Sequence, residues 1–319
     1  MTPRAIRLSV YLLIVLAILG WDTNRRWWTP SAHQATAHYA IDTTATPAQT
    51  DEIARAAEVQ YQTYCATLRA IPGLSTNHPP LKMALYKDRD EMRRVNRMSG
   101  WAEAFYRAPV CHAYYSAKEV SPLHWMLHEA VHQLNHEVAH LTLEKWLEEG
   151  TACLFSSSLA NDHEVRLGTV DVTTYPAWWL DTLATAGQLD ADLKNGSVIP
   201  LRAIVTGKGG PKMDEQFNLY YLHWWTLTLF LYHAETGKYR AGWIELLQQG
   251  GTLDAFEKHI GPVERVQAEW YRYVQELKRS PAGVRPRKPT TRSAAFTCEP
   301  VGWLAVCPTA RSGSWFCIS

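Results

Sequence analysis

The 319-residue chain has no Cys-x-x-Cys pair, no internal repeat and no long single-sign charge run in its middle, and its net charge is only +1. Each absence removes a class. Without paired thiolates at close spacing, a zinc-ribbon module is not supported. Near-neutral charge gives no basis for a nucleic-acid partner. Six cysteines suit an oxidising compartment but form no tight framework: Cys65, Cys111 and Cys153 are scattered, while Cys298, Cys307 and Cys317 crowd the end. No pairing can be assigned from that spacing. What is present is apolar and aromatic mass, 46% hydrophobic residues with 14 tryptophans, enough for a sizeable core.

The first residues carry a targeting pattern. Arg4 and Arg7 precede an apolar run from Leu8 to Trp21, which has the form of a secretory h-region and is short for a spanning helix of roughly 20 residues. Asp22 to Arg26 offer no small-x-small cleavage site, so residues 1–21 read as a signal peptide or as an uncleaved anchor. A buried N-terminal helix is the plain alternative. Either targeting reading places the rest of the chain outside the cytoplasm, secreted, periplasmic or tethered to a membrane.

Periodicity then divides the body. His38–Asp42 and Leu81–Tyr86 alternate as strands, and Pro47 opens a helix over Ala48–Ile71 in which Ile53, Ala57, Tyr61, Cys65 and Leu68 recur at helical spacing. Asp88–Met98 reads as a charged helix, and Trp101–Tyr115 is aromatic and β-prone. From Ser121 to Lys278 the pattern is mainly helical. Ser121 and Pro122 suit a helix start, followed by Leu123, Met126, Leu127, Ala130, Val131 and Leu134. Further helices are expected over Leu143–Phe155 and over Phe217–Tyr232 (apolar on nearly every side and therefore a core helix), and Asp254–Leu277 closes the domain. Beyond Arg279, prolines alternate with basic residues up to Glu299, which predicts a disordered basic tail over 279–319. The expected architecture is α+β, a small mixed sheet followed by a mainly helical half, with one domain over 38–278.

The chemical signal is His128-Glu129-Ala130-Val131-His132. Residues four apart on a helix stand one turn apart on the same face, so both imidazoles can present a nitrogen about 2 Å from one tetrahedral zinc. Glu129 sits roughly 100° round the helix, placed to accept a proton from a metal-activated water without being a ligand. The plain alternative is a histidine pair in a histidine-rich helix, since His124, His136 and His140 are neighbours. An open zinc site needs a third ligand. The spacing that puts a third histidine six residues after the second, with a glycine between, fails here, because Val138 and Asn135 occupy those positions.

A glutamate from the next helix is the other arrangement, and Trp146-Leu147-Glu148-Glu149-Gly150-Thr151-Ala152 follows. This run resembles the third-ligand motif of aminopeptidase N-type gluzincins, and the stretch as a whole is similar to peptidase-MA-like proteins exported by bacteria. The resemblance is specific over His128–Ala152, looser over 38–278 and absent in the tail. It implies a thermolysin-like zincin fold, one zinc ion, peptide-bond hydrolysis, and Glu149 as the ligand beside His128 and His132. Glu148, about 100° away from it, shares its stripe with Glu144, Lys145, Thr151 and Ala152 and reads as a solvated flank. The resemblance also points to Tyr221, ahead of Trp225-Thr226-Leu227, as the donor to a developing oxyanion. His223 is the runner-up, and a plain core tyrosine is the alternative.

The chain departs from the family in three places. Residues 133–148 make a linker two residues shorter than the aminopeptidase spacing. Cys153 stands where thermolysin-type enzymes have an aspartate. Gly100-Trp101-Ala102-Glu103-Ala104 keeps only two residues of the amine-gripping strand, so Glu103 is either an amine contact or part of a turn and edge strand. The reading expected from the sequence is zinc-dependent hydrolysis of a peptide or protein substrate, with Glu129 and Tyr221 catalytic and no nucleic-acid partner. A zinc-bearing envelope protein that binds without hydrolysing stands as the alternative, and the intact pentad argues against a metal-free scaffold.

Overall fold

The computed structural model describes residues 28–96, 102–161, 163–279 and 315–318. The apolar run at 8–21 and the basic stretch at 280–314 lie outside the described residues. Among the described residues no helix is long and apolar enough to cross a membrane.

The first half is built on a mixed sheet of order β1-β2-β3-β5-β4-β8, formed by Ala32–Ala35 (β1), Tyr39–Thr43 (β2), Leu81–Tyr86 (β3), Ala104–Arg107 (β4), Val110–Tyr114 (β5) and Trp315–Ile318 (β8). β2, β3 and β5 run parallel, while β1, β4 and β8 are antiparallel to their neighbours. The period-two alternation of a strand sorts its residues between faces. Leu81, Met83 and Leu85 of β3 enter the main core, whereas Ala84 and Tyr86 join Met92, Phe105 and Tyr114 in a smaller one. Helix α1 (Pro47–Thr67), opened by a Thr46–Gln49 capping box with proline at its start, packs on the main-core face. The short helix α2 (Arg89–Val95), capped by Asp88, packs against β3 and β5.

Helix α3 (His124–Glu137) lies against β4 and β5 and carries the pentad. Its seat is fixed by buried polar contacts: Gln60 Nε2 donates to the Leu127 carbonyl at 2.6 Å, and Gln133 Nε2 donates to the carbonyls of Lys82 and Pro109 at 2.9 and 2.8 Å. The helix begins two residues later than Ser121 and Pro122 suggest. Ser121 and Pro122 lie in the preceding turn, and the Ser121 carbonyl instead accepts from the His124 ring at 2.8 Å.

The second half is helical: α4 (Lys145–Ser156), α5 (Leu189–Asn195), α6 (Leu201–Thr206), α7 (Phe217–Gly237), α8 (Arg240–Gln248), α9 (Leu253–His259) and α10 (Val263–Arg279), with a two-strand hairpin of β6 (Leu159–Ala160) and β7 (Val165–Arg166). The closing stretch over 254–277 is two helices, because Gly261, at φ 125°, and Pro262 interrupt it. Helix α7 is the hub; residues 220–231 are all buried, as its all-round apolarity predicts. Gly150 is what lets α4 lie against it: a Cβ there would meet the Thr228 hydroxyl at 2.2 Å and the Trp224 carbonyl oxygen at 2.7 Å. Inside the tail expected to be disordered, residues 315–318 instead form β8 on the outer edge of β4.

Candidate metal centre

The one-turn spacing of the pentad brings His128 Nε2 and His132 Nε2 to 3.1 Å from each other. Helix α4 delivers Glu149 Oε2 to 3.3 Å from the first and 3.5 Å from the second. A tetrahedral cation with bonds of about 2.0–2.1 Å holds its ligand atoms about 3.3–3.4 Å apart, so these three atoms outline one face of such a site. A Glu129 carboxylate oxygen also lies within 4.8 Å of both imidazole nitrogens. That acid is differently engaged, however: its Oε2 accepts from the Tyr106 backbone N–H at 2.7 Å, while Oε1 is buried and has no hydrogen-bond partner among the described residues. Glu149 and Glu129 are thus engaged differently, the one with both imidazoles and the other with a backbone N–H.

All four side chains are sealed, at 0–2% exposure. Burial alone would make charges there costly, and the shifts show how the cluster responds. Burial, reinforced by the charges of Glu149 and Glu148, raises Glu129 to about 8 against the lowering effect of His132 and the Tyr106 N–H. Burial lowers His128 to about 4 despite its bond to Glu149. Glu149 behaves oppositely; its hydrogen bonds to both imidazoles overcome burial and hold it far below the carboxylate range. His132, buried between Glu148 and Glu149, is raised well above its ordinary value because those two acids outweigh desolvation. Three buried carboxylates thus face two imidazoles, and among the described residues their ion pairs are with histidines alone. A cation would offset the excess negative charge.

The structure corrects the reading of Glu148. It is no solvated flank but only 4% exposed, and its Oε1 accepts from His132 Nδ1 at 2.8 Å and from Asn135 Nδ2 at 3.1 Å. Tyr64 of α1 completes the chain, donating to Asn135 Oδ1 at 2.7 Å. A carboxylate on the far nitrogen of a ligating imidazole fixes its tautomer and raises its basicity. The helical stripe of Glu148 misled because α4 is buried on nearly all sides; Trp146 to Ser156 are all inaccessible. Asn135 and Tyr64 carry no local signal, since they become partners only when α1, α3 and α4 meet.

His128 has a weaker support. Its Nδ1 faces Cys153 Sγ at 3.8 Å, so the residue that departs from the thermolysin pattern occupies that supporting position as a thiol, kept protonated by burial. Tyr221 is 1% exposed, and its pKa is raised by burial and then by the charge of Glu149. Tyr175, packed on Tyr221 at 5.4 Å between ring centroids, senses Cys153 and Glu149 in the same way and was not singled out from the sequence.

Two weighed candidates fall away. His223 is committed structurally, donating from Nδ1 to the Leu219 carbonyl at 2.7 Å and accepting from the Ile199 N–H at 3.3 Å. Glu103 is ion-paired with Arg89 and Arg93 and accepts from the Tyr114 hydroxyl; it braces the turn before β4. Among the described residues Cys65, Cys111 and Cys153 form no disulfide. A hollow of about 400 Å³ lined by Asp51, Arg55, Glu58 and His163 shares no residue with the cluster.

Fold and site together define an α+β protein with a buried His-Glu-x-x-His group able to hold a metal ion. No protein-family model matches the chain, and no curated protein matches it. The functional reading therefore stands on the geometry.

Proposed function

We propose that the protein is a zinc-dependent peptide hydrolase of thermolysin-like architecture, its metal held by His128, His132 and Glu149. The observation that carries this reading is the triangle of their three ligand atoms, 3.1–3.5 Å on a side, with a Glu129 carboxylate oxygen within 4.8 Å of both imidazole nitrogens. Nitrogen and carboxylate donors in that number and geometry suit zinc. Zinc bound there supplies Lewis acidity, polarising a scissile carbonyl and making water a stronger acid.

The chain's own groups do the rest. Tyr106 N–H holds Oε2 of Glu129, so that Oε1 takes the water's proton and later returns it to the departing nitrogen. Tyr221, kept un-ionised by burial, retains its proton to donate where negative charge develops on oxygen. Glu148 holds His132 in the tautomer that turns Nε2 to the metal.

The near-complete burial of the centre favours a second reading, a zinc-bearing binding protein without hydrolysis. Purified full-length protein, stripped with chelator and reloaded with zinc, separates the two in a broad peptide-library digest. Cleavage that disappears with zinc and returns with it supports the hydrolase. One bound zinc per chain with no cleavage of any peptide leaves the binding reading.

A further inference from the structure

The hairpin β4–β5 turns through Ala108 and Pro109, with Arg107 opposite Val110 and Tyr106 opposite Cys111. Residues flanking a two-residue turn form the hydrogen-bonded pair, and the next pair does not exchange bonds. Tyr106 therefore points its N–H and C=O away from β5, to the outer edge of β4. That N–H is the one received by Glu129 at 2.7 Å. The outer edge of β4 thus runs past the carboxylate of the base, and a strand laid along it passes the candidate metal centre.

An open edge of this kind is a template for another strand. Here it is taken by the chain's own Trp315–Ile318, antiparallel, with Phe316 opposite Tyr106 and Trp315 opposite Arg107. The Cα atoms of β8 also come within 8 Å of those of α3. β8 follows α10 by 35 residues in sequence, so it joins the sheet from a distance rather than as part of a local hairpin.

We infer that Trp315–Ile318 is an internal occupant of the outer edge of β4, a strand that must leave before an extended peptide can be laid beside Glu129. This rests on the reading of the centre as one that acts on peptide backbones. Occupation is by main-chain pairing, so the competing ligand is any extended peptide, selected by its backbone first and its side chains second.

The test compares the full chain with one ending at Ser312, both carrying zinc. The probe is a fluorescein-labelled synthetic peptide of residues 313–319, and its binding is followed by anisotropy in the Glu129→Gln background so that no cleavage intervenes. The truncated form is expected to bind at least 10-fold more tightly than the full chain, and with Glu129 intact to cleave library peptides at least 10-fold faster. If truncation perturbs folding, judged by circular dichroism, the full-length Phe316→Pro variant serves instead, because proline removes the N–H opposite Tyr106 without shortening the chain. Equal binding by blocked and unblocked forms overturns the inference, even if both hydrolyse peptides. Tighter binding without hydrolysis in any form upholds the edge and its occupant while removing the hydrolase reading.

Discussion

Glu148 Oε1 stands 2.8 Å from His132 Nδ1, and the same oxygen receives the Asn135 amide that Tyr64 holds in place. This contact ties a candidate metal ligand on α3 to its neighbour on α4 and, through Tyr64, to α1. The adjacent acids Glu148 and Glu149 consequently share the work on His132, one at each ring nitrogen.

Zinc affinity should reflect that division. Glu149→Ala removes a proposed ligand, and Glu148→Ala removes the brace behind another; the brace is expected to be worth about 10–100-fold in affinity. Glu148→Gln, which keeps an acceptor oxygen, should lose less. Competition with a chromophoric chelator measures all three. An unchanged affinity in Glu148→Ala would return that residue to the solvated role its stripe suggests.

Gly150 should tolerate no side chain. A Cβ would press on the Trp224 carbonyl of α7 as well as the Thr228 hydroxyl, and backbone cannot turn aside as a side chain can. Gly150→Ala is expected to destabilise the fold by about 1–3 kcal/mol, the scale of overpacking, and to displace Glu149 enough to weaken zinc binding. Urea denaturation of the zinc-free protein isolates the first effect. A variant as stable as the parent would mean that α4 and α7 have room to separate.

Much of this was legible in the sequence, and the limits are physical. The pentad announces itself because a helix turn converts spacing into coplanar ligands. Strands β2 and β3, helix α1 and the core helix α7 follow from periodicity. The role of Glu148 was hidden because a stripe assigns a face without saying what covers it, and α4 is covered on nearly all sides. Asn135, Tyr64 and Tyr175 are long-range partners that no local pattern links. Strand β8 lies in a stretch without a period, and it gains strand structure only by pairing with β4.

Acid should loosen the fold through His223. Burial lowers its pKa to about 4, and its Nε2, accepting from Ile199, has no room for a second proton. The unfolded chain takes up that proton below about pH 6.5, so the stability is fully present above that pH. It declines as pH falls through the window down to about 4, by at most about 3 kcal/mol. Stability measured from pH 7.5 to 4 should fall more steeply for the parent than for His223→Gln. Parallel slopes would show that another group governs the acid limb.

Arg4, Arg7 and the apolar run behind them predict that the full chain leaves the cytoplasm and that a chain lacking residues 1–21 does not. Cell fractionation of the two forms reads this directly. Equal cytoplasmic solubility of both would remove the leader assignment.

The central claim is that zinc at His128, His132 and Glu149 works with Glu129 to hydrolyse peptides. Glu129→Gln changes no ligand and still reaches the Tyr106 N–H, but its amide cannot take a proton. The most direct measurement determines bound zinc by mass spectrometry and peptide cleavage on the same preparations of parent and Glu129→Gln. The prediction is one zinc per chain in both, with cleavage reduced in the variant by about 10²–10⁴-fold. Equal cleavage by the two, or a parent that binds no zinc, would contradict the account.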